Sequence, residues 1–233
     1  MYAARRWTPF AALAALALAG PVRAQTVTIG TQSASNCIPF GCPGDPFNVS
    51  RYQQVFSAAA FGVSSPIDIM SLTFFNSFNP AFGQFGNATF SIFFSTTSAA
   101  VNGLSTDLAS NVGTPDSPFA TLVGSGGLTG PQFTINGSPY FYDPTGGNLL
   151  MDVFISSVGQ NGALAFLDAD ASGTVTSRAY QTNGIGTVSS IGLVTEFGYA
   201  SVTATPEPTT LILMATGMLG IVVWVRRRKV AAA

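Results

Sequence analysis

The middle of the chain alternates apolar and polar residues over short runs, a pattern typical of β-strands. In the clearest run, 148–156, Leu149, Met151, Val153 and Ile155 occupy every second position. Leu150 and Phe154 make the other face of this run partly apolar as well. This predicts a central strand that is covered on both faces. Shorter or weaker runs of the same kind occupy 67–75, 87–96, 163–167, 174–181, 191–197 and 199–203. In the first of these the alternation is imperfect and places Ile67, Ile69, Ser71, Thr73 and Phe75 on one face.

Turn-forming residues between these runs determine the predicted fold class. Gly, Pro, Asn and Ser recur at the spacing of sandwich folds, and no long helical periodicity lies between the two ends of the chain. Residues 98–130 are weakly patterned and predict long loops with short strands between them. We therefore expect an all-β fold with a single β-sandwich domain over residues 25–204, for which a jelly roll is one candidate arrangement.

The N-terminal end predicts a signal peptide over residues 1–24. Arg5 and Arg6 precede an apolar stretch at 9–20, which is too short to span a bilayer. Small and modest residues at 22–24 suit a signal peptidase, so we expect cleavage after Ala24. An amphipathic helix of the domain is the alternative, but this stretch is apolar on all sides.

The C-terminal end predicts a membrane helix. Residues 209–225 are apolar and, at about 1.5 Å each, reach roughly 25 Å, against a hydrocarbon core of about 30 Å. A basic stop follows, formed by Arg226, Arg227, Arg228 and Lys229, and such residues belong on the cytoplasmic side. Pro206-Glu207-Pro208 then lies just outside the membrane in an extended conformation. A plain single-span anchor accounts for the same pattern.

These three parts, in this order, resemble the PEP-CTERM sorting signal of Gram-negative bacteria over residues 205–229. The resemblance implies that an exosortase, an integral membrane enzyme, recognises Pro206, Glu207 and Pro208 and cuts near them. Its implied partners are exosortase and signal peptidase. The implied location is the inner membrane, transiently, with the domain on the periplasmic side, and then the cell surface or the extracellular space. Such proteins accompany extracellular polysaccharide and biofilm machinery.

The middle segment is also similar to a recurring, uncharacterised type of PEP-CTERM protein. The residues that carry this similarity are 147–153, 168–180 and 192–197. No activity comes with the similarity, so the role of the domain has to be inferred from its own chemistry.

Charge is distributed unevenly along the chain, and this excludes several functions. The middle domain contains two cations, Arg51 and Arg178, and nine acids, so its net charge is 2 − 9 = −7. Nucleic acid is therefore not an expected partner. The chain has no histidine, and its one lysine is Lys229. A Ser-His triad, a Schiff base and a Walker-type phosphate loop are excluded.

The chain contains two cysteines, Cys37 and Cys42. In an exported protein such a pair predicts a disulfide that closes a small loop near the mature N-terminus. A metal site would need more ligands than two thiolates. Free or reactive thiols are the alternative.

A possible calcium loop starts at Asp168. Asp168, Asp170, Ser172 and Thr174 place oxygen ligands at alternating positions, with Gly at the sixth, as at the start of an EF-hand. The twelfth position is Ala179, where a bidentate Glu belongs. The alternative is an acidic β-turn closed by side-chain hydrogen bonds. We expect no cofactor, with calcium as the alternative.

Aromatic residues and carboxylates supply two further candidate sites. Tyr140, Phe141 and Tyr142 form a compact cluster that could contact a sugar ring; a core or sheet-edge role is the alternative. Paired carboxylates can serve a glycosidase. Candidates such as Asp143, Asp152 and Glu196 cannot be placed in space from the sequence, and we expect no catalytic residues.

Three functions follow from these observations. The first is a non-enzymatic, exported protein of the cell envelope or extracellular matrix. The second is a polysaccharide-binding, lectin-like module, with or without calcium. The third is a carboxylate-dependent glycan hydrolase.

Overall fold

The computed structural model describes residues 24–77, 83–114, 116–128 and 130–202, together with Met214, 216–219 and Ile221. The predicted sorting motif, the basic stop and residues 1–23 of the predicted signal peptide lie outside the described residues. A first compact unit ends at Ser201, and a second begins at Val202.

The described residues of the first unit form an all-β domain, as predicted. Its strands are β1 Ala24–Ile29, β2 Ala34–Asn36, β3 Val49–Phe56, β4 Ile67–Phe75, β5 Thr89–Thr97, β6 Ser117–Val123, β7 Gln132–Tyr142, β8 Asn148–Ser156, β9 Leu167–Asp170, β10 Thr176–Thr182, β11 Ile185–Ser189, β12 Gly192–Leu193 and β13 Thr195–Ser201. Short 3-10 helices lie at Ala58–Phe61, Leu108–Asn111 and Pro144–Gly146.

Two antiparallel sheets make the sandwich. One has four strands in the order β1-β13-β4-β7, and the other has six in the order β11-β10-β3-β8-β5-β6. Four nested pairs, β1–β13, β3–β8, β4–β7 and β5–β6, correspond to one long antiparallel hairpin. Two further pairings fold this hairpin into two sheets: β13–β4 joins the pairs β1–β13 and β4–β7, and β8–β5 joins the pairs β3–β8 and β5–β6. This strand order is that of a jelly roll, which confirms the predicted sandwich.

Additional elements extend the roll on one side. The hairpin β10–β11 widens the six-stranded sheet beyond β3. A small third sheet, in the order β12-β9-β2, lies beside it. The eight strands of the jelly roll are β1, β3 to β8 and β13, and the remaining five strands, β2 and β9 to β12, are additions to it.

The core between the two main sheets is rich in phenylalanine. Its largest fully buried side chains include Phe56, Phe74, Phe90, Phe94 and Phe197. One further ring, Phe40, enters from the loop that the disulfide closes, and it lies 5.0 Å from Phe74 between ring centroids. The inner faces of both sheets thus interlock through aromatic contacts rather than through aliphatic residues alone.

The strand predictions were confirmed where alternation is regular and wrong where it is broken. Strand β8 has the predicted bounds and lies centrally, between β3 and β5. Strand β4 also has the predicted bounds, but the register shifts between Ile69 and Ser71. This bulge places Leu72 and Phe74 in the core, not Thr73 and Phe75. The run 163–167 yields only the first residue of β9.

A long loop covers part of the outer face of the six-stranded sheet. Its residues Leu104 and Leu108 pack on Val55 and Leu150 in a second, smaller apolar cluster. Beneath it, Gln53 donates to the carbonyl of Leu108 at 2.8 Å. The sheet is therefore buried on both sides here, which agrees with the two-sided apolar pattern of β8.

In the second unit, Met214, 216–219 and Ile221 are helical, and their apolar side chains Met214, Met218, Leu219 and Ile221 are exposed. Over the residues that the structure describes, no helix has both the length and the apolar character needed to cross a membrane. The predicted span 209–225 otherwise falls outside the described residues.

Candidate functional site

The two ends of the jelly roll leave the domain side by side. Strands β1 and β13 pair antiparallel, and Ala24 lies opposite Ala200. Gln25, the predicted first residue of the mature chain, donates through its amide to the hydroxyl of Ser201 at 3.1 Å. Ala24 and Ser201 thus lie at the same end of the paired strands β1 and β13.

The predicted disulfide between Cys37 and Cys42 is present. Its Cα atoms are 5.3 Å apart, and both cysteines are buried. Gly41 lies inside the closed loop, and a Cβ there would stand 2.0 Å from the carbonyl oxygen of Ala165. The loop is therefore seated tightly against the domain at a position that only glycine can occupy.

The predicted calcium ligands separate into two groups. Both carboxylate oxygens of Asp168 accept hydrogen bonds from Ser77, from the amide at 2.9 Å and the hydroxyl at 2.7 Å. Asp170, Ser172 and Thr174 instead line an open pocket of ≈ 570 Å³. Within the described residues, no three or more His, Cys, Asp or Glu side chains form a group able to hold a metal ion. Calcium at this turn stays a prediction.

Asp170 acts as a turn-closing acceptor. Its carboxylate accepts the backbone amides of Thr31 at 3.0 Å and Ser172 at 2.7 Å. Burial alone would raise the pKa of this carboxyl, but the hydrogen bonds from Ser172 and Thr31 outweigh it and hold the pKa below its ordinary value. The carboxylate is thus negatively charged and already bonded to the protein.

The three clustered aromatic residues do not form one surface, because they alternate along β7. Tyr140 packs on Phe94, with ring centroids 5.3 Å apart, and Tyr142 packs on Phe61 at 5.0 Å. Both tyrosines are buried, whereas Phe141 is 55% exposed. A sugar contact through all three rings is therefore wrong, and only Phe141 remains available for one.

Phe141 borders an open pocket of ≈ 380 Å³, which we name the Phe141 cleft. Its lining combines hydroxyls, prolines and one carboxylate: Thr96, Thr114, Ser117, Pro118, Pro139, Tyr140, Phe141, Asp143 and Gly146. The carboxylate of Asp143 accepts the amide of Thr145 at 2.9 Å and so fixes the loop that ends the cleft. The cleft lies where β7, the start of β6 and the end of β5 meet.

Two titratable groups beside the Phe141 cleft have shifted pKa values. Burial raises the pKa of the Tyr140 phenol, the hydroxyl of Thr96 acts in the opposite direction, and the charge of Asp116 raises it further. Burial also raises the pKa of Asp116, with a further rise from Asp152 and a reduction from Arg51. The lining phenol of Tyr140 is therefore neutral, and the Asp116 carboxyl beside the cleft ionises less readily than usual.

Two of the candidate glycosidase carboxylates, Asp152 and Glu196, are held apart by the fold. Asp152 projects from the outer face of the six-stranded sheet, where Arg51 binds it. Glu196 projects from the outer face of the four-stranded sheet, next to Thr28. The two carboxylates therefore lie on opposite outer surfaces of the sandwich and cannot face each other across a cleft, as glycoside hydrolysis requires.

Comparison with known protein families finds a match at the C-terminal end of the chain. The PEP-CTERM protein-sorting motif matches residues 204–229. The chain carries a PEP-CTERM sorting signal. The signal begins three residues after β13 ends at Ser201 and makes this an exported protein that an exosortase sorts. Searches of curated proteins and of solved structures gave no match.

Proposed function

We propose that this protein is a non-enzymatic component of the cell envelope or extracellular matrix, released to that site when exosortase cuts near Pro206-Glu207-Pro208. The observation that carries the proposal is the sorting motif directly after the last strand. Residues 202–205 separate β13 from the motif and span at most about 14 Å. A cut there leaves the β1–β13 pairing intact, so the domain stays folded after processing.

The arrangement of the carboxylates supports a role without catalysis. Asp152, Asp168 and Asp170 each accept hydrogen bonds from neighbouring protein groups. Such bonds fix them as structural acceptors, in the way that buried carboxylates stabilise turns and ion pairs. The cell-envelope role therefore requires only that the domain fold, persist and contact the matrix.

The first prediction concerns sorting. Replacing Pro206, Glu207 and Pro208 together with alanine should leave the protein uncut in the inner membrane, because the exosortase loses its recognition residues. Fractionation followed by immunoblotting measures the loss, which we expect to exceed tenfold in the released fraction. As a control, alanine at Thr209 and Thr210, which follow the Pro206-Glu207-Pro208 recognition residues, should leave release unchanged. Equal release of the triple variant would contradict the proposal.

A second candidate function is polysaccharide binding in the Phe141 cleft. An exposed aromatic ring beside hydroxyls is the arrangement that stacks on a sugar ring and hydrogen-bonds its substituents. Phe141 supplies the ring, and Thr96, Thr114 and Ser117 supply the hydroxyls. The calcium prediction at the Asp168 turn belongs to this function and is tested with it.

The second prediction tests this binding. Phe141→Ala should weaken retention on the matrix polysaccharide at least tenfold, because the stacking surface is lost. Val123→Ala is the matched control, since Val123 is 69% exposed on the edge strand β6 and is not part of the cleft. Glycan-array binding with and without calcium gives the measurement. Equal binding by both variants, or no binding by the unmodified protein in either condition, would eliminate this function.

A further inference from the structure

Strand β11, Ile185–Ser189, forms an open edge of the six-stranded sheet. It is the last strand in the order of that sheet and pairs on one side only, with β10. An edge strand presents unpaired backbone N–H and C=O groups, which are able to pair with a further strand. The outward side of β11 is therefore a surface to which another strand can bind.

The turn before β11 determines which backbone groups point outward. Asn183 and Gly184 form a two-residue turn with φ values of 49° and 81°, as in a type I′ hairpin. The residues that flank such a turn form a hydrogen-bonded pair, and hydrogen-bonded pairs alternate along the ladder. The N–H and C=O groups of Gly186 and Val188 thus point away from β10. Within the described parts of the chain, no hydrogen bond reaches these outward groups.

The covering loop holds β11 in place from the face of the sheet. The carbonyl oxygen of Thr106, in that loop, lies so close to Gly186 that no Cβ would fit there. A Cβ points out of the plane of a sheet, so this contact covers a face and leaves the edge open. Ile185, Thr187 and Val188 remain exposed. The edge is therefore fixed in position before any partner binds.

Strand β11 lacks the features that usually protect an edge strand from pairing. Its sequence contains no charged residue and no proline. The edge strands β6 and β7 differ, because they contain Pro118 and Pro139 respectively. The edge strand β1 lies beside the carboxylate of Glu196, which accepts the hydroxyl of Thr28. Pairing is thus unobstructed at β11 and hindered at these other edges.

The charge around β11 favours a second copy of this chain as the partner. The domain has two cations and nine acids, a net charge of 2 − 9 = −7, so two copies repel each other over most of their surfaces. None of the nine acids lies between 171 and 195. Asp107 follows Thr106 in the covering loop, but its carboxylate accepts the amide of Ala109 at 3.2 Å. Two acidic copies can therefore approach each other at β11 with little repulsion.

The outward groups of β11 are complementary to themselves. Gly186 and Val188 each lie one residue from Thr187. A two-fold axis at Thr187 therefore places Gly186 of one copy opposite Val188 of the other in an antiparallel pair. Each of the two resulting pairs exchanges both of its N–H···O=C hydrogen bonds. A contact of this isologous kind closes after two copies.

We propose that two copies of this protein pair antiparallel through β11, so that their six-stranded sheets join into one continuous sheet of twelve strands. The pairing rests on β11 and not on the proposed function. The Phe141 cleft lies at β6, the opposite edge of the six-stranded sheet. At about 4.8 Å per strand, the two clefts of the pair are about 50 Å apart. Such a bivalent protein is suited to link two polysaccharide chains.

Cysteine cross-linking of the full-length protein, purified in detergent, tests the pairing. Thr187→Cys should form a disulfide-linked dimer under mild oxidation, because Thr187 faces its own copy with about 4.5 Å between Cα atoms, within the reach of a disulfide. The native cysteines are bonded to each other and do not compete. Thr121→Cys is the matched control, since Thr121 is an exposed threonine on the edge strand β6. On non-reducing gels, Thr187→Cys should yield at least tenfold more dimer than Thr121→Cys.

Three further variants test the register and the hydrogen bonds. Ser189→Cys should not link to itself, because the antiparallel register places Ser189 opposite Ile185 of the other copy. Val188→Pro, added to Thr187→Cys, should abolish the cross-link and leave the melting temperature unchanged, because it removes an outward N–H and no bond to β10. Thr187→Lys guards against misfolding of the proline variant. It should convert the dimer to a monomer in sedimentation experiments, since like charges directly opposite each other repel.

Equal cross-linking of Thr187→Cys and Thr121→Cys overturns the proposal, and so does efficient linking of Ser189→Cys to itself. A disulfide from Thr187→Cys to a different protein overturns the second copy as the partner. If glycan binding that depends on Phe141 persists while Thr187→Cys gives no dimer, this inference fails and the proposed function stands.

Discussion

Phe40→Ala should lower the free energy of unfolding by about 3–5 kcal/mol, the cost of removing a fully buried phenylalanine ring. Phe40 is 1% exposed, and its ring centroid lies 5.0 Å from that of Phe74 and 5.1 Å from that of Phe90. Because the disulfide fixes the loop that carries Phe40, the surroundings cannot collapse freely into the vacated space. Urea unfolding followed by circular dichroism measures the change.

Phe141→Ala is the matched control for this prediction. It removes the same side chain from the same protein, but Phe141 is 55% exposed, so its loss should change the free energy of unfolding by less than about 0.5 kcal/mol. A Phe40→Ala effect below about 1 kcal/mol would contradict the view that the disulfide loop closes the core.

Asp152→Ala should lower the free energy of unfolding by about 3 kcal/mol, because it leaves Arg51 without its carboxylate partner. Asp152 is fully buried and accepts from the Nε of Arg51 at 2.9 Å and from the amide of Gln53 at 3.0 Å. Gln53 in turn accepts the amide of Asn111 at 2.9 Å. Losing the carboxylate therefore disturbs a connected polar network beneath the covering loop.

Two further variants separate the ion pair from other effects of Asp152. Asp45→Ala removes an exposed carboxylate and should change the free energy of unfolding by less than about 0.5 kcal/mol. The double variant Arg51→Met with Asp152→Leu removes both charges and should recover at least half of the lost stability. If the double variant is less stable than Asp152→Ala, the unpaired charge is not the cause of the loss.

Regular alternation allowed the sequence to predict some strands in full. Strand β8 was predicted with its bounds and both faces, because no residue interrupts its period of two. Strand β4 was predicted with its bounds but with half of its faces reversed, because the bulge near Met70 inserts one residue. A bulge depends on the partner strands, so a single run of residues does not reveal it.

Buried polar residues prevented the prediction of strand β3. Strand β3 was not predicted because Gln53 and Gln54 interrupt its apolar pattern. Both are completely buried, and the amide of Gln54 donates to Thr176 at 2.9 Å and to the carbonyl of Leu193 at 2.8 Å. These partners are more than a hundred residues away in the chain, so their compensation becomes visible only in the folded domain.

Among the candidate sites, too, those formed by residues close together in sequence were predicted, and those formed by distant residues were not. The disulfide and the sorting signal depend on residues close together in sequence, and both were predicted correctly. The Phe141 cleft gathers residues from separate strands and loops, so no single run of the sequence reveals it.

The intact mass of the protein recovered outside the cell, with and without the exosortase, tests the central claim most directly. We predict a chain that begins at Gln25 and ends near Pro208 when the enzyme is present, and no such species when it is absent. A released chain that retains Lys229 in the presence of the enzyme would contradict the account, because the sorting signal would then not be processed.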